Sequence, residues 1–338
     1  MMLRTRLYNL LRIEFPIICA PMGFVTGPEL AAAVSNAGGL GIMPFSGNPP
    51  SALRQEIRRL RSLTDKPFGV NLLLHYPVDE HVTVCIEERV PILSFFWGDP
   101  SRFIDRAHEA GIKVFHQVGS VKGAQRAVRA GVDVVIAQGV EAGGHIEGVV
   151  TTMALVPRVV DAISPIPVVA AGGIADPRGV VAALALGAEG VVLGTRFLAT
   201  IESNAHPIYK QRVLAATEED TVRITLFGHG WPNAPHRTIR TAFVDEWLSK
   251  EDQGNESRSD EPVIGETRIG GQPVPVVRFK GFPPSKDARG DIESMNLLAG
   301  QGVGLVNEIK PAATIVRELV EGAREIIQKR LDRILANK

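Results

Sequence analysis

A chain of 338 residues with 37 Lys plus Arg against 37 Asp plus Glu carries no formal net charge, and 45% of it is hydrophobic. Such a composition is ordinary for a globular protein and excludes a collagen, a coiled coil, a disordered tail and a disulfide scaffold. The balanced charge argues against a nucleic-acid or anionic-membrane surface, because either needs a basic excess.

At roughly 150 residues per domain the length fits two domains, or one large barrel with an appendage. At the N-terminus, Arg12 and Glu14 interrupt the apolar run early, so no signal peptide is read there. Residues 30–53 are uncharged, but Gly38, Gly39, Gly41, Pro44, Pro49 and Pro50 break them into pieces, so no membrane span is expected. Short apolar runs then recur at residues 16–21, 39–43, 68–74, 92–97, 113–118, 132–138, 167–171 and 190–194. They are continuous, rich in β-branched residues and bounded by Gly or Pro, which is how strands buried on both faces of a parallel sheet read. Helical patterns lie between them, as at 28–37, 51–63, 101–110, 121–130 and 177–186. Eight strands with helical crossovers predict an α/β fold, a (β/α)8 TIM barrel, over residues 1–203, with an open doubly wound sheet as the alternative. After Arg196 the pattern changes. A helix is expected over 205–216, an exposed polar loop near 251–261, and irregular chain over 270–284, where four prolines fall. Residues 204–310 read as a lid or cap, and 311–338 as a C-terminal helix returning to the barrel. The two cysteines, Cys19 and Cys85, form no CxxC pair, which suggests a reducing, cytoplasmic compartment. No Cys/His set has zinc spacing, and none of the histidines is expected to bind a metal.

Three segments carry the chemistry. Residues 137–148 (AQGVEAGGHIEG) follow the sixth strand, at the face where barrel active sites lie. There Gly143 and Gly144 allow close backbone approach, and His145 is presented over the mouth. Residues 167–179 end a strand in Gly172-Gly173, and residues 190–197 end the next in Gly194-Thr195. Loops after the seventh and eighth strands form the usual phosphate site of such barrels.

The stretches PMG (21–23), AAAVSNAGGLG (31–41), AQGVEAGGH (137–145), VVAAGGIADPRG (168–179) and VVLGTRFL (191–198) resemble the nitronate monooxygenase family. The resemblance implies non-covalent FMN with its phosphate at Gly173 and Gly194-Thr195. It also implies that Ala20, Pro21, Met22, Asn71, Gln117, Gln138 and Gly143 contact the flavin. The flanking Gly144, Ala171, Gly172, Val192 and Leu193 complete the cofactor set, and His145 falls on the catalytic base. Implied partners are a small nitronate or enoyl thioester and dioxygen, and a homodimer stays open. The expected reaction is oxidation of alkyl nitronates to a carbonyl compound and nitrite. The flavin-dependent enoyl-acyl-carrier-protein reductases, which use NAD(P)H, share the EAGGH motif, and residues 202–214, 227–229 and 290–306 look closer to them. They usually carry Glu where this chain has Gln138. NAD(P)H:quinone reductases are a further relative. Phe95, Phe96 and Trp97 read equally well as a substrate wall or as core, Cys19 reads as a small buried hydrophobe, and Arg178 and Arg196 read equally well as phosphate clamps or as helix-surface charges and are left out of the site.

Overall fold

A computed structural model describes residues 3–45, 49–256, 258–269 and 271–335. Its centre is a closed parallel barrel of β1 (Ile17–Cys19), β2 (Leu40–Phe45), β3 (Phe68–Leu73), β4 (Ile92–Phe96), β5 (Lys113–Val118), β6 (Val134–Gln138), β8 (Val168–Ala171) and β9 (Gly190–Leu193), with β9 pairing back onto β1. β7 (Gly144–His145) is a two-residue strand on the loop after β6. The TIM barrel expected from the alternating runs is the fold observed.

The strand alternation explains why these runs are apolar throughout. Ile18, Ile42, Ile92, Phe115, Ile136, Val169 and Val192 fill the barrel interior, whereas Cys19, Val70, Leu93, Val114, Val135, Ala170, Val191 and Leu193 meet the surrounding helices. A short helix, α1 (Arg6–Leu11), adds Leu7 and Leu11 to the interior cluster. Outside lie α2 (Pro28–Asn36), α3 (Pro50–Leu63), α4 (Asp79–Glu87), α5 (Ser101–Glu109), α6 (Val121–Ala130), α7 (Thr152–Ile163) and α8 (Pro177–Ala185). The start of α8 follows its sequence signal: Asp176 accepts from the amides of Arg178 and Gly179, with Pro177 in the first turn. Gly131 closes α6 at φ 102°, a left-handed cap that costs other residues energy.

The C-terminal third departs from the sequence expectation. After α9 (Thr195–Leu198) and α10 (Pro207–Ala215), β10 (Thr221–Ile224) and β11 (His236–Ile239) form an antiparallel sheet that takes in β7 of the barrel loop. After α11 (Ala242–Trp247), a 3-10 helix occupies Leu248–Asn255, inside the region expected as an exposed loop. Gly254 there is buried, and so is Glu261, which pairs with Arg278; Ser257 lies outside the described residues. Instead of irregular chain, β12 (Val263–Ile269) pairs antiparallel with β13 (Gln272–Val277), with β14 (Arg289–Gly290) on the other side. Pro273 and Pro275 fall in β13, an edge strand, where the missing amide costs little. The last helix, α12 (Ala312–Glu325), lays Ile315, Val316, Leu319 and Ala323 into the core beside α2 and α8. It continues through a π turn to Leu335, and the expected helix end at 336–338 lies outside the described residues. Among the described residues no helix is long and apolar enough to cross a membrane.

Candidate active site

The inward positions change from apolar to polar at the C-terminal end of the barrel: Asn71 on β3, Ser94 on β4, Gln117 on β5 and Gln138 on β6. The Asn71 amide nitrogen is 3.2 Å from both the Ser94 carbonyl oxygen and hydroxyl, and donates to them. Above this layer a cavity of about 1060 Å³ opens, enclosed by the barrel loops and the C-terminal third.

The structure brings fourteen of the sixteen expected site residues to that cavity's wall. Ala20, Pro21 and Met22 lie after β1, with Asn71 and Gln117 opposite. Gly143, Gly144 and His145 come from the loop after β6, Ala171, Gly172 and Gly173 from the end of β8, and Val192, Gly194 and Thr195 from the end of β9. Two residues lie off that wall. Leu193 is fully buried among the helix-facing side chains, because strand alternation turns it away from inward Val192; only its carbonyl, accepting from Ala20 N at 2.9 Å, faces the site's floor. Gln138 stands behind the wall rather than on it: its amide nitrogen donates to the His145 carbonyl at 3.0 Å, and its Oε1 is buried with no protein partner.

Backbone shape makes the cradle. Gly172 and Gly173 have φ of 112° and 70°, a region that L side chains rarely adopt. A Cβ on Gly143 would sit 2.5 Å from the Gly300 amide nitrogen, so this loop and the segment after Leu298 touch backbone to backbone. Gly143→Ala is therefore expected to lower the free energy of urea unfolding by about 2 kcal/mol or more, the usual range for forced backbone displacement, whereas Gly194→Ala, whose Cβ meets nothing nearer than 3.7 Å, should leave it unchanged. Glu141 reinforces the same junction: its carboxylate accepts from Thr152 N and Oγ1, and its carbonyl from Gln301 N.

His145 is held on β7 opposite His236 of β11. Its imidazole lies against Trp231, with centroids 4.1 Å apart and planes 23° off parallel, while Trp97 meets it edge-on at 6.2 Å. Burial, followed by the charges of His236 and His75, pushes the His145 pKa down to about 3, so the ring is neutral at any working pH. The aromatic trio at the end of β4 divides between its two readings: Phe95 stacks on Phe103 in the core, Phe96 lines the cavity, and Trp97 faces His145.

Several residues take places the sequence did not suggest. Trp231, Tyr76, Lys280 and Phe282 line the cavity, and exposed His75 stacks on Trp231. The stretch at 227–232 (FGHGWP) was the available signal for Trp231, an aromatic set between a glycine and a proline in a turn-rich segment. His116 on β5 and His236 on β11 are buried. Arg196 is buried and donates to the carbonyls of Ala199 and Glu308, tying the end of the barrel to the C-terminal segment, whereas exposed Arg178 pairs with Asp176 as a helix-surface charge. Cys19 is fully buried and its thiol is pushed up to about 12 by burial, so it stays inert. Among the described residues, no group of three or more His, Cys, Asp or Glu could hold a metal ion.

The TIM barrel carries a glycine-built cradle and a half-buried histidine at its C-terminal mouth, and its relatives make it an oxidoreductase. The nitronate monooxygenase family model matches residues 4–80 and 74–322, and the chain belongs to that family. It is 35% identical to a probable nitronate monooxygenase of Staphylococcus saprophyticus, over 97% of this chain and 100% of that protein. It is 41% identical, over 73% of this chain and 69% of the relative, to a Mycobacterium tuberculosis (3aS,4S,5R,7aS)-5-hydroxy-7a-methyl-1-oxo-octahydro-1H-indene-4-carboxyl-CoA dehydrogenase. The structure of FabK from Thermotoga maritima superposes with a TM-score of 0.81 at 38% identity, covering 98% of this chain and 99% of that one.

Proposed function

We propose that the protein is an FMN-dependent enzyme that oxidises alkyl nitronates with dioxygen to a carbonyl compound and nitrite, with residues 204–310 acting as the lid over the site. The observation that carries the reading is the neutral His145 at the cavity wall, in a chain of this family. A nitronate is already deprotonated, so its oxidation needs no standing proton donor. A histidine that burial keeps neutral is a weak one, and its ring can hold a nitronate oxygen by an N–H hydrogen bond.

The residues present fit FMN. At the left-handed Gly172 and Gly173 a Cβ would crowd Thr152 and Glu141, so bare backbone lines the cavity there, and at Gly194 open space is left in which a side chain would compete with a phosphate. The orphaned Gln138 Oε1 is an acceptor without a protein partner. In this reading Gly173, Gly194 and Thr195 hold the phosphate. Ala20, Pro21, Met22, Asn71, Gln117 and Gly143 hold the ring and ribityl parts, with Gln138 braced behind them. FMN would supply the electron-transfer chemistry that no side chain here can perform. His145 binds the nitro oxygens and takes the α-proton when the substrate arrives as a neutral nitroalkane. Because burial leaves it a weak base, preformed nitronate is the better substrate.

The purified protein should be yellow and release FMN on heating. Gly194→Asp should stay folded, since the position has ordinary negative φ and free space, yet come out colourless because a carboxylate occupies the phosphate's place. A folded, fully yellow variant would count against the phosphate assignment.

A second reading, reduction of an enoyl thioester by NAD(P)H, draws on the cavity. About 1060 Å³ is at the upper end of small-molecule sites and roomy for a short nitronate, and a relative's name specifies a CoA ester. Anaerobic mixing with NADH, NADPH and propyl nitronate in turn separates the two: bleaching by nitronate, then nitrite release with oxygen, supports the first, and bleaching by NAD(P)H with crotonyl-thioester turnover transfers the assignment to the second.

A further inference from the structure

An indole from the C-terminal third lies between the imidazoles of His75 and His145, which two different barrel loops carry. Trp231 stacks on His75 at 4.6 Å and 11° on one side and on His145 at 4.1 Å and 23° on the other, and Trp97 meets its edge at 5.0 Å and 78°. Its residue is only 8% exposed. The loop that brings it there is fastened on three sides. Trp231 N donates to Gly228 O at 2.9 Å, and Asn233 N donates to the Asn255 side chain at 2.6 Å. His229 N donates to Phe279 O at 3.2 Å, and His75 Nε2 lies 3.4 Å from Gly230 O.

We propose that Trp231 is a positioning residue, which fixes the imidazole of His145 by covering one face and walls that face off from water. A ring covered on its face can exchange hydrogen bonds only through its edge, so the indole decides which way the nitrogens of His145 point. The backbone holds the other coordinate, because β7 is paired to β11 and the His145 carbonyl is held by Gln138. The titratable groups that act on the ring are His236 from β11 and His75 from the loop after β3, and both oppose its protonation. No carboxylate is needed to orient it; packing does that work. A histidine set by a carboxylate would be pulled toward the charged form, whereas one set by an indole and buried beside two other histidines is kept neutral.

The proposal rests on the reading of His145 as the working group of the site, and its test does not require the substrate to be right. Protein labelled with ¹³C-histidine is titrated by NMR, with the His145 signal identified by its loss in His145→Asn. In Trp231→Leu the His145 titration should move up by about one unit or more, toward the ordinary value of about 6.5, as water reaches the ring. In Trp231→Phe, which keeps a stacking ring, it should stay where it is. Turnover of whichever substrate bleaches the flavin should fall about 10²-fold in kcat in Trp231→Leu, the effect of roughly 1 Å of misplacement, with KM changed far less and with most of the loss recovered in Trp231→Phe. An unmoved titration with unchanged kcat in Trp231→Leu overturns the proposal, as does a Trp231→Phe variant equally impaired, which would make the indole a packing element alone. If Trp231→Leu does not fold, Trp231→Met, which keeps apolar volume without a flat stacking face, takes its place. A shift in the same direction supports the proposal, and none overturns it. If the shift appears but nitronate is inert, the reaction class fails and the positioning role stands.

Discussion

His145→Asn is expected to keep its fold and its flavin but lose about 10² to 10⁴-fold in kcat/KM on a neutral nitroalkane at pH 7.5, the usual worth of general-base catalysis. Asparagine preserves a donor near the position of the imidazole edge and cannot take a proton, so the two roles assigned to His145 come apart. On preformed nitronate, whose α-proton is already gone, the same variant should lose far less. The pair of substrates is thus an internal control, measured as nitrite release under air with both enzymes. Equal losses on the two would mean that His145 binds the nitro group without acting as a base, and no loss on either would place the chemistry elsewhere in the cavity. The depressed pKa adds a pH criterion. With the group neutral from about pH 4 upward, the kcat/KM profile for nitronate should show no ionisation of His145 between pH 5.5 and 8, where an unperturbed histidine would titrate.

How much of this could be read from the sequence depends on how locally each feature is determined. The barrel was legible because each strand is a short continuous apolar run, which only a sheet covered on both faces needs. The glycine cradle was legible because Gly172-Gly173 and Gly194 sit where a strand must turn sharply into a helix. Leu193 shows the limit: GVVLG contains no polar residue to reveal its register, so which of Val192 and Leu193 faces inward is decided by pairing with β1 and β8. β13 was illegible for the opposite reason, since Pro273 and Pro275 argue against a strand until it is known to lie at an edge. The aromatic sandwich is non-local in the strictest sense. His75, His145 and Trp231 are brought together by the pairing of β7 with β11 and by the closure of the C-terminal third over the barrel, and no spacing in the chain encodes that.

Stability should fall steeply as the pH is lowered from about 6.5 toward 4, because three buried histidines resist protonation in the fold. Burial pushes His145 down to about 3, and His116 and His236 to about 4. In the unfolded chain each returns to about 6.5. Below that pH the unfolded state binds protons that the native state does not, so acid favours unfolding, and the stability present above pH 6.5 is lost on the way down to the folded values. Between pH 7.5 and 5 the cost is about 2 kcal/mol for each histidine, and it depends only on the folded pKa lying below 5. Three such groups give about 6 kcal/mol, a large part of the usual 5–15 kcal/mol of a folded protein. The carboxylates with lowered pKa act in the same direction at lower pH: Asp133, held by Lys113, the Val114 amide and His108, and Asp99, held by Ser101. Urea unfolding at pH 7.5, 6.5, 5.5 and 5.0 measures the slope. His116→Gln, remote from the proposed chemistry on β5, should remove about a third of it whatever it does to the absolute stability. If the slope is flat between pH 6.5 and 5, the imidazoles of these histidines are reached by water or protonated in the fold, and the neutral state assigned to His145 loses its physical basis.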